Sequence, residues 1–181
     1  KRKREELEKN LNFLGFVAMY DQPREDAKPA VPAAKRAGIQ PIMVTGDNEL
    51  TALAIAKEVG LIEKDEDVIT GEQLKAMSDE ELKKILQKIR VYARAKPEDK
   101  LRLVSLFKQL GFVVGVTGDG VNDALALKQA DVGVAMGEKG TDVAKEASDI
   151  VLLDDSFSTL VKAIEEGRKI YNNIVKAVTY L

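Results

Sequence analysis

The chain has no cysteine, no histidine and no tryptophan. Disulfides, Cys/His zinc sites, thiol nucleophiles and every scheme that needs an imidazole are therefore excluded. Chemistry has to run on Asp, Glu, Lys, Arg, Ser, Thr and backbone amides, and an oxygen-rich donor set favours a hard cation such as Mg²⁺. A charge excess is also lacking: 28 Lys and Arg face 30 Asp and Glu, for a net charge of -2. That balance has none of the basic footprint of a nucleic-acid binder, and no nucleic acid is expected as a partner. No apolar run approaches the roughly 18 to 20 residues that span a bilayer, and the opening KRKREELEKN has no apolar signal-peptide core, so the segment is expected to be soluble as written.

What is present is a normal globular composition, 45% hydrophobic over 181 residues, arranged as an alternation. Short β-branched runs bounded by Gly or Asp are separated by longer segments of helical period, the signature of βαβ units. Strands are expected at 13–19, 42–45, 91–93, 112–117, 132–135 and 150–153. Helices are expected at 30–37, 50–59, 79–88, 97–110, 122–129 and 141–147. Ser78 with Glu81 forms a capping-box pattern, Pro97 suits a first helical position, and Gly38, Gly60 and Gly111 follow helical stretches as stops. Pro32 is expected to shorten or kink its helix. The tetrapeptide VTGD closes two apolar runs, at 44–47 and 116–119, and the residues after the two copies differ. A doubly wound, mostly parallel α/β sheet of Rossmann-like type explains the recurrence, because the C-terminal ends of its strands make one crevice where ligands sit.

From Phe157 onward, apolar residues keep helical spacing at 157, 160, 161, 164, 171, 174, 175, 178 and 181, predicting a long C-terminal helix weakened by Gly167. It reads either as a packed terminal helix or as an arm leading towards another domain or a membrane.

Three stretches carry chemistry. In GDGVND, two glycines let the backbone turn closely, while Asp119, Asn122 and Asp123 gather oxygen donors that repel one another unless a cation intervenes. Magnesium answers that need, and the alternative is an ordinary polar turn. In the earlier VTGD, a threonine hydroxyl and adjacent amides ahead of a helix can cradle a phosphate, although Thr-Gly-Asp is also a common turn. In ARAKPEDK, Lys100 stands near the positive end of its helix and makes better sense facing an anion, the alternative being a solvated surface lysine. The GEKGTD stretch at 137–142 reads as a solvent loop. Neither GxGxxG nor GxxxxGK[ST] is present, which disfavours dinucleotide and P-loop sites.

TGD, then KPEDK, then TGDGVNDALALKQADVGVAMG resembles the phosphorylation domain of P-type cation-transporting ATPases, members of the haloacid dehalogenase-like superfamily. The later GTDVAKEASDIVLLDDSF and EEGRKIYNNI look most like the calcium-pump branch. The resemblance implies a linker or helix at 1–12, a portion of the phosphorylation domain at 13–155 and a terminal helix at 156–181 leading towards membrane helices. It implies that Thr45 and Gly46 bind the transferred phosphoryl group, that Asp47 aligns nucleotide and domain closure, and that Arg94 approaches the nucleotide. Lys100 would neutralise phosphoryl charge, Asp119 would hold Mg²⁺, and Asn122 and Asp123 would complete the network. These roles suit phosphoryl transfer, which relies on positioning and charge neutralisation. ATP would be the substrate of the complete protein, with actuator, nucleotide-binding and membrane domains as partners and the cytoplasmic face of a membrane as its location.

The family's nucleophile is the aspartate of DKTGT, and this sequence contains no DKTGT. The family pattern places it upstream, on a central strand before the nucleotide-binding insertion, so the segment alone is expected to be inactive and to leave two strands without a neighbour. DQPR also departs from the family's double proline, as do Pro29 and Pro32. A soluble phosphatase of the same superfamily and a non-catalytic module binding phosphate and Mg²⁺ are the alternatives.

Overall fold

A computed structural model describes residues 11–17, 22–64 and 68–180. The alternation emerges as α1 (Ala27–Arg36), β1 (Met43–Val44), α2 (Glu49–Glu58), β2 (Val68–Thr70), α3 (Gly71–Ala76), α4 (Asp79–Ile85), β3 (Val91–Ala93), α5 (Pro97–Gln109), β4 (Gly115–Gly118), α6 (Ala124–Gln129), β5 (Val132–Met136), α7 (Asp142–Glu146), β6 (Ile150–Leu152) and α8 (Phe157–Thr179). A 3₁₀ turn, Val121–Asp123, joins β4 to α6. Every strand pair is parallel, so the chain is an α/β fold with a long C-terminal helix.

The strands form two three-stranded sheets, β1-β3-β2 and β4-β5-β6, rather than one continuous sheet. In the first, Val91, Tyr92 and Ala93 of the middle strand are fully buried, and alternate residues point into different cores. Tyr92 joins Ile69, Leu74, Leu82, Leu86, Ile89, Leu103, Leu106 and Phe107 on one face. Val91 and Ala93 join Val31, Ala52, Ala56, Val59, Leu61 and Ile62 on the other. Coverage of both faces is what a parallel sheet requires. The second sheet has a smaller cluster, Leu127, Ala135 and Ala144.

Local chemistry sets most boundaries. Ser78 and Glu81 form the expected reciprocal cap, and Pro97 opens α5 where its missing N–H costs nothing. Asn48 caps α2 by accepting from the Thr51 amide at 3.0 Å. The expected stop at Gly38, Gly60 and Gly111 is realised, each with positive φ. Helix α1 is not cut short at Pro32. It runs from Ala27 through Pro29 and Pro32 without ending. Pro29 lies in the first turn, where amides have no helical partner, and Pro32 forfeits a single backbone bond while Ala30, Val31 and Ala34 bury the helix face.

Other differences have physical reasons. The strand expected at 13–19 is absent over Phe13–Val17, which is exposed; Ala18 and Met19 lie outside the described residues. Leu14, Phe16 and Val17 are 97%, 93% and 94% exposed, and no described neighbour pairs with their backbone. The strand expected at 112–117 begins only at Gly115: the Val114 amide donates to the Asp131 carboxylate, and only its carbonyl reaches backbone amides, those of Asp131 and Val132 at the start of β5. Strand β2 and helix α3 were not expected; β2 is three residues long, too short to show a period.

Helix α8 is packed at its start and uncovered beyond it. Residues 157–161 and Ile164 are half-buried, with α1 as the neighbouring helix, and everything beyond residue 164 is exposed. Its start is anchored to the front of the chain: the Ser156 hydroxyl and Ser158 amide donate to the Asp26 carboxylate at 2.8 and 3.3 Å. Burial pushes the Asp26 carboxyl up, but these hydroxyl and amide donors, the Phe157 amide and Arg24 outweigh it and hold its pKa below the ordinary value. A carboxylate there also complements the positive helix end. No helix among the described residues is long and apolar enough to cross a membrane.

Candidate functional site

The loops that leave β1, β3 and β4 carry the expected site residues. After β1, the Thr45 hydroxyl donates to the Asp47 carboxylate at 2.9 Å and accepts from the Asp47 amide at 3.1 Å, folding the TGD segment on itself. The loop after β3 is then pinned to it: the Arg94 amide donates to the Asp47 carbonyl at 2.8 Å and the Ala95 amide to the Thr45 carbonyl at 2.9 Å. The Arg94 guanidinium is exposed and has no partner among the described residues, leaving its planar fork available to an anion. Gly46 is exposed, and a Cβ there would stand 4.0 Å from the Ala95 carbonyl oxygen.

After β4, Asp123 is 6% exposed and turns its carboxylate back under the loop. Its Oδ2 faces the Asp119 and Gly120 amides at 3.4 and 3.3 Å. Gly118 makes this possible, since a Cβ there would lie 2.5 Å from the Asp123 Cβ. Asp119 and Asn122 are exposed and have no side-chain partner among the described residues.

Among the expected site residues, one ion pair links the first sheet's side to the GDGVND loop. Lys100, in the first turn of α5 on the first sheet, donates from Nζ to Asp123 Oδ1 at 2.5 Å, and both side chains are substantially screened from solvent (28% and 9% exposed). A short, charge-assisted bond of this kind is among the stronger polar contacts available. The lysine's expected task of facing an anion is thus met by a carboxylate.

Oxygen donors for a cation are Asp119 and Asp123. Among the described residues no group of three or more acidic side chains is placed to hold a metal ion. Magnesium accepts one or two protein carboxylates when phosphate oxygens and water complete its shell, so this pair fits a shared site and not a self-sufficient one.

Two further contributors escaped the sequence reading. Asp155, 3% exposed and with φ of +51°, accepts from the Glu138 and Lys139 amides, both at 3.0 Å. The 137–142 stretch is therefore a pinned loop, and its Thr141 amide donates to the Asp119 carbonyl at 2.8 Å. Burial raises the Asp155 carboxyl, while the amides of Glu138, Lys139 and Gly137 and the Arg24 guanidinium lower it below its ordinary pKa by more. The DDSF stretch gave no sign of this, because the partners are 16 and 17 residues away. Thr70 is the second: it caps α3 reciprocally with Gln73, and the Thr-x-x-Gln spacing was a legible signal.

Comparison with known proteins agrees with this geometry. The profile of the haloacid dehalogenase-like hydrolases matches residues 1–131. Calcium-transporting ATPase 1 of Bacillus cereus is 51% identical over 97% of this chain, which spans 20% of that protein. The plasma membrane-type calcium-transporting ATPase 7 of rice is 53% identical over 96% of this chain and 17% of its own length. Among solved structures, a zinc-transporting PIB-type ATPase in its E2.Pi state superposes with a TM-score of 0.68 at 33% identity, covering 88% of this chain and 21% of that one. The chain spans about a fifth of the length of these relatives. With parallel sheets, a TGD loop pinned to the loop after β3, a KPEDK lysine that reaches the GDGVND aspartate and a family profile over most of its length, the chain belongs to the haloacid dehalogenase-like hydrolases and is similar to the phosphorylation domains of P-type ATPases.

Proposed function

We propose that this chain is the phosphorylation-domain portion of an ATP-driven cation pump of the calcium-transporting kind, acting at the cytoplasmic face of a membrane. The observation that carries the reading is the Lys100–Asp123 contact, which ties the helix that follows β3 to the loop that follows β4 in one charged site. A lysine held between a carboxylate and solvent can turn to a second anion, and a phosphoryl group is the anion that the neighbouring TGD loop suits. Thr45 and Gly46 would receive that group, Asp47 and Arg94 would face the nucleotide, and Asn122 would support the phosphate. Asp119 and Asp123 would hold Mg²⁺, which when bound offsets charge on phosphate oxygens.

The residues present orient and neutralise; none is a nucleophile placed as DKTGT would be. Strands β1 and β4 each pair on one side only, and both end in site loops. We place the missing upstream strand beside them, where it would pair with backbone groups that are now free. The nucleotide-binding, actuator and membrane domains follow as partners, with α8 as the connection towards the membrane. Residues 13–155 then form the domain portion and 156–181 its outgoing arm.

Incubation with γ-labelled ATP and Mg²⁺ tests this. The chain alone is expected to take no acid-stable, hydroxylamine-sensitive label, and a polypeptide extended upstream through DKTGT is expected to take it. Label on the chain alone, or none on the extended polypeptide, overturns the reading.

A further inference from the structure

Arg94 is one of two non-glycine residues with positive φ among those described, at +51°. An L-residue stays in that region only when its surroundings over-determine it. Three bonds hold the segment: the Arg94 and Ala95 amides donate to the Asp47 and Thr45 carbonyls, and the Lys96 amide donates to the buried Asp99 carboxylate at 2.8 Å. These fix the loop from β1 and from α5. The side facing β2 is closed by a residue with no side chain.

Gly71 opens α3 beside that loop and is buried. A Cβ at this position would lie 2.4 Å from the Arg94 carbonyl oxygen, 3.2 Å from its carbon and 3.3 Å from Asp99 Oδ2. The glycine is not there for backbone freedom, because its φ is not in the positive range. Nor can its helix withdraw. Thr70 and Gln73 lock the start of α3, Leu74 is fully buried one turn on, and the Arg102 guanidinium of α5 donates to the Leu74 and Met77 carbonyls at 2.7 and 2.8 Å. A methyl group at 71 must therefore displace Arg94.

What Arg94 borders makes that displacement matter. A cleft of about 540 Å³ is lined by Asn48, Glu49, Leu50, Thr70, Glu72 and Arg94, with the arginine as its one cation beside two acidic residues. A guanidinium moved by an ångström there loses the angle at which it can form a two-pronged bond with phosphate.

We propose that Gly71, outside every motif of the site, is a positioning residue for Arg94: the absence of a side chain at 71 sets where the guanidinium-bearing loop stands and so tunes anion recognition in the cleft. The inference rests on the reading of Arg94 as a nucleotide contact.

The test combines amide NMR with titration of Mg-ATP into the 181-residue chain. Gly71→Ala is expected to shift the Asp47, Arg94 and Ala95 amide resonances and to weaken ATP binding about tenfold. Lys75→Ala, exposed on the same helix, is expected to do neither. The weakening must vanish in an Arg94→Ala background, whereas a general structural defect would persist there. Arg94→Gly, which suits a positive φ without strain, is expected to reduce the stability lost on adding Gly71→Ala, and to restore folding should the single variant fail to fold. Unmoved Asp47 and Arg94 resonances, or an undiminished cost of Gly71→Ala in the Arg94→Gly protein, overturns the positioning role. ATP binding equal in wild type and Arg94→Ala instead overturns the reading of Arg94, and the amide shifts still decide whether Gly71 places its loop.

Discussion

The two sheets are built alike and covered differently. In β1-β3-β2 the middle strand is buried on both faces by two clusters of leucine, isoleucine, valine and aromatic side chains. In β4-β5-β6 the cluster holds three residues, and Val113, Ile150, Val151 and Leu153 remain exposed at 84%, 39%, 37% and 81%. The TGD loop thus stands on the well-packed sheet, and the GDGVND loop on the thinly covered one. Since apolar burial contributes roughly 25 cal/mol per Å², the second sheet rests more of its stability on polar clamps such as Lys100–Asp123 and Asp155. Local opening should follow that division.

Hydrogen exchange gives the largest expected contrast. The amides of Tyr92 and Ala93 should exchange on the order of a hundredfold more slowly than those of Thr117 and Gly118, and equal protection would remove the distinction. Core truncation comes next. Leu82→Ala, within the large cluster, should cost about 4 kcal/mol, while Leu127→Ala should cost about 2 kcal/mol because a small, open cluster collapses more easily. Chemical denaturation showing the reverse order would mean that the second sheet is the tighter one.

The polar clamp should reveal itself through pH. The folded pKa values of Asp26 and Asp155 lie below the ordinary 3.8, so each stabilises the fold above that value and loses its contribution as pH falls through the depressed folded value. Asp155→Asn should therefore lower Tm at pH 6 and approach the wild-type Tm as both are acidified below pH ~4. A Tm difference that stays constant down to pH ~2 would show that the carboxylate charge is not what holds the 137–142 loop. The smallest effect lies in the first sheet. The Tyr92 hydroxyl is buried without a partner among the described residues, and burial pushes its pKa up. Tyr92→Phe should be neutral or stabilise by up to about 1 kcal/mol, and a clear loss would reveal a partner for the hydroxyl.

Elements whose signals are local could be read in the sequence. Ser78 with Glu81, Pro97 at the start of α5 and the glycines after α1, α2 and α5 act within a turn, so their spacing announces them. Site chemistry was legible for the same reason: TGD, KPEDK and GDGVND each gather their functional groups within a few residues. The strand expected at 13–19 failed because an apolar run needs a neighbour to pair with, and Phe13–Val17 has none among the described residues. Gly71 and Asp155 were invisible because neither has a meaning apart from the segment it touches, Arg94 in one case and Glu138 with Lys139 in the other.

The βα alternation, the caps and the absence of any imidazole or thiol follow from residue order alone, since composition and contacts three or four residues apart suffice for these. That β3 lies between β1 and β2, that the strands divide into two sheets and that Lys100 reaches Asp123 across 23 residues depend on the folded packing. Parallel strands cannot pair through a tight turn, so their order depends on which helical crossovers pack, and that is settled by burial over the whole chain.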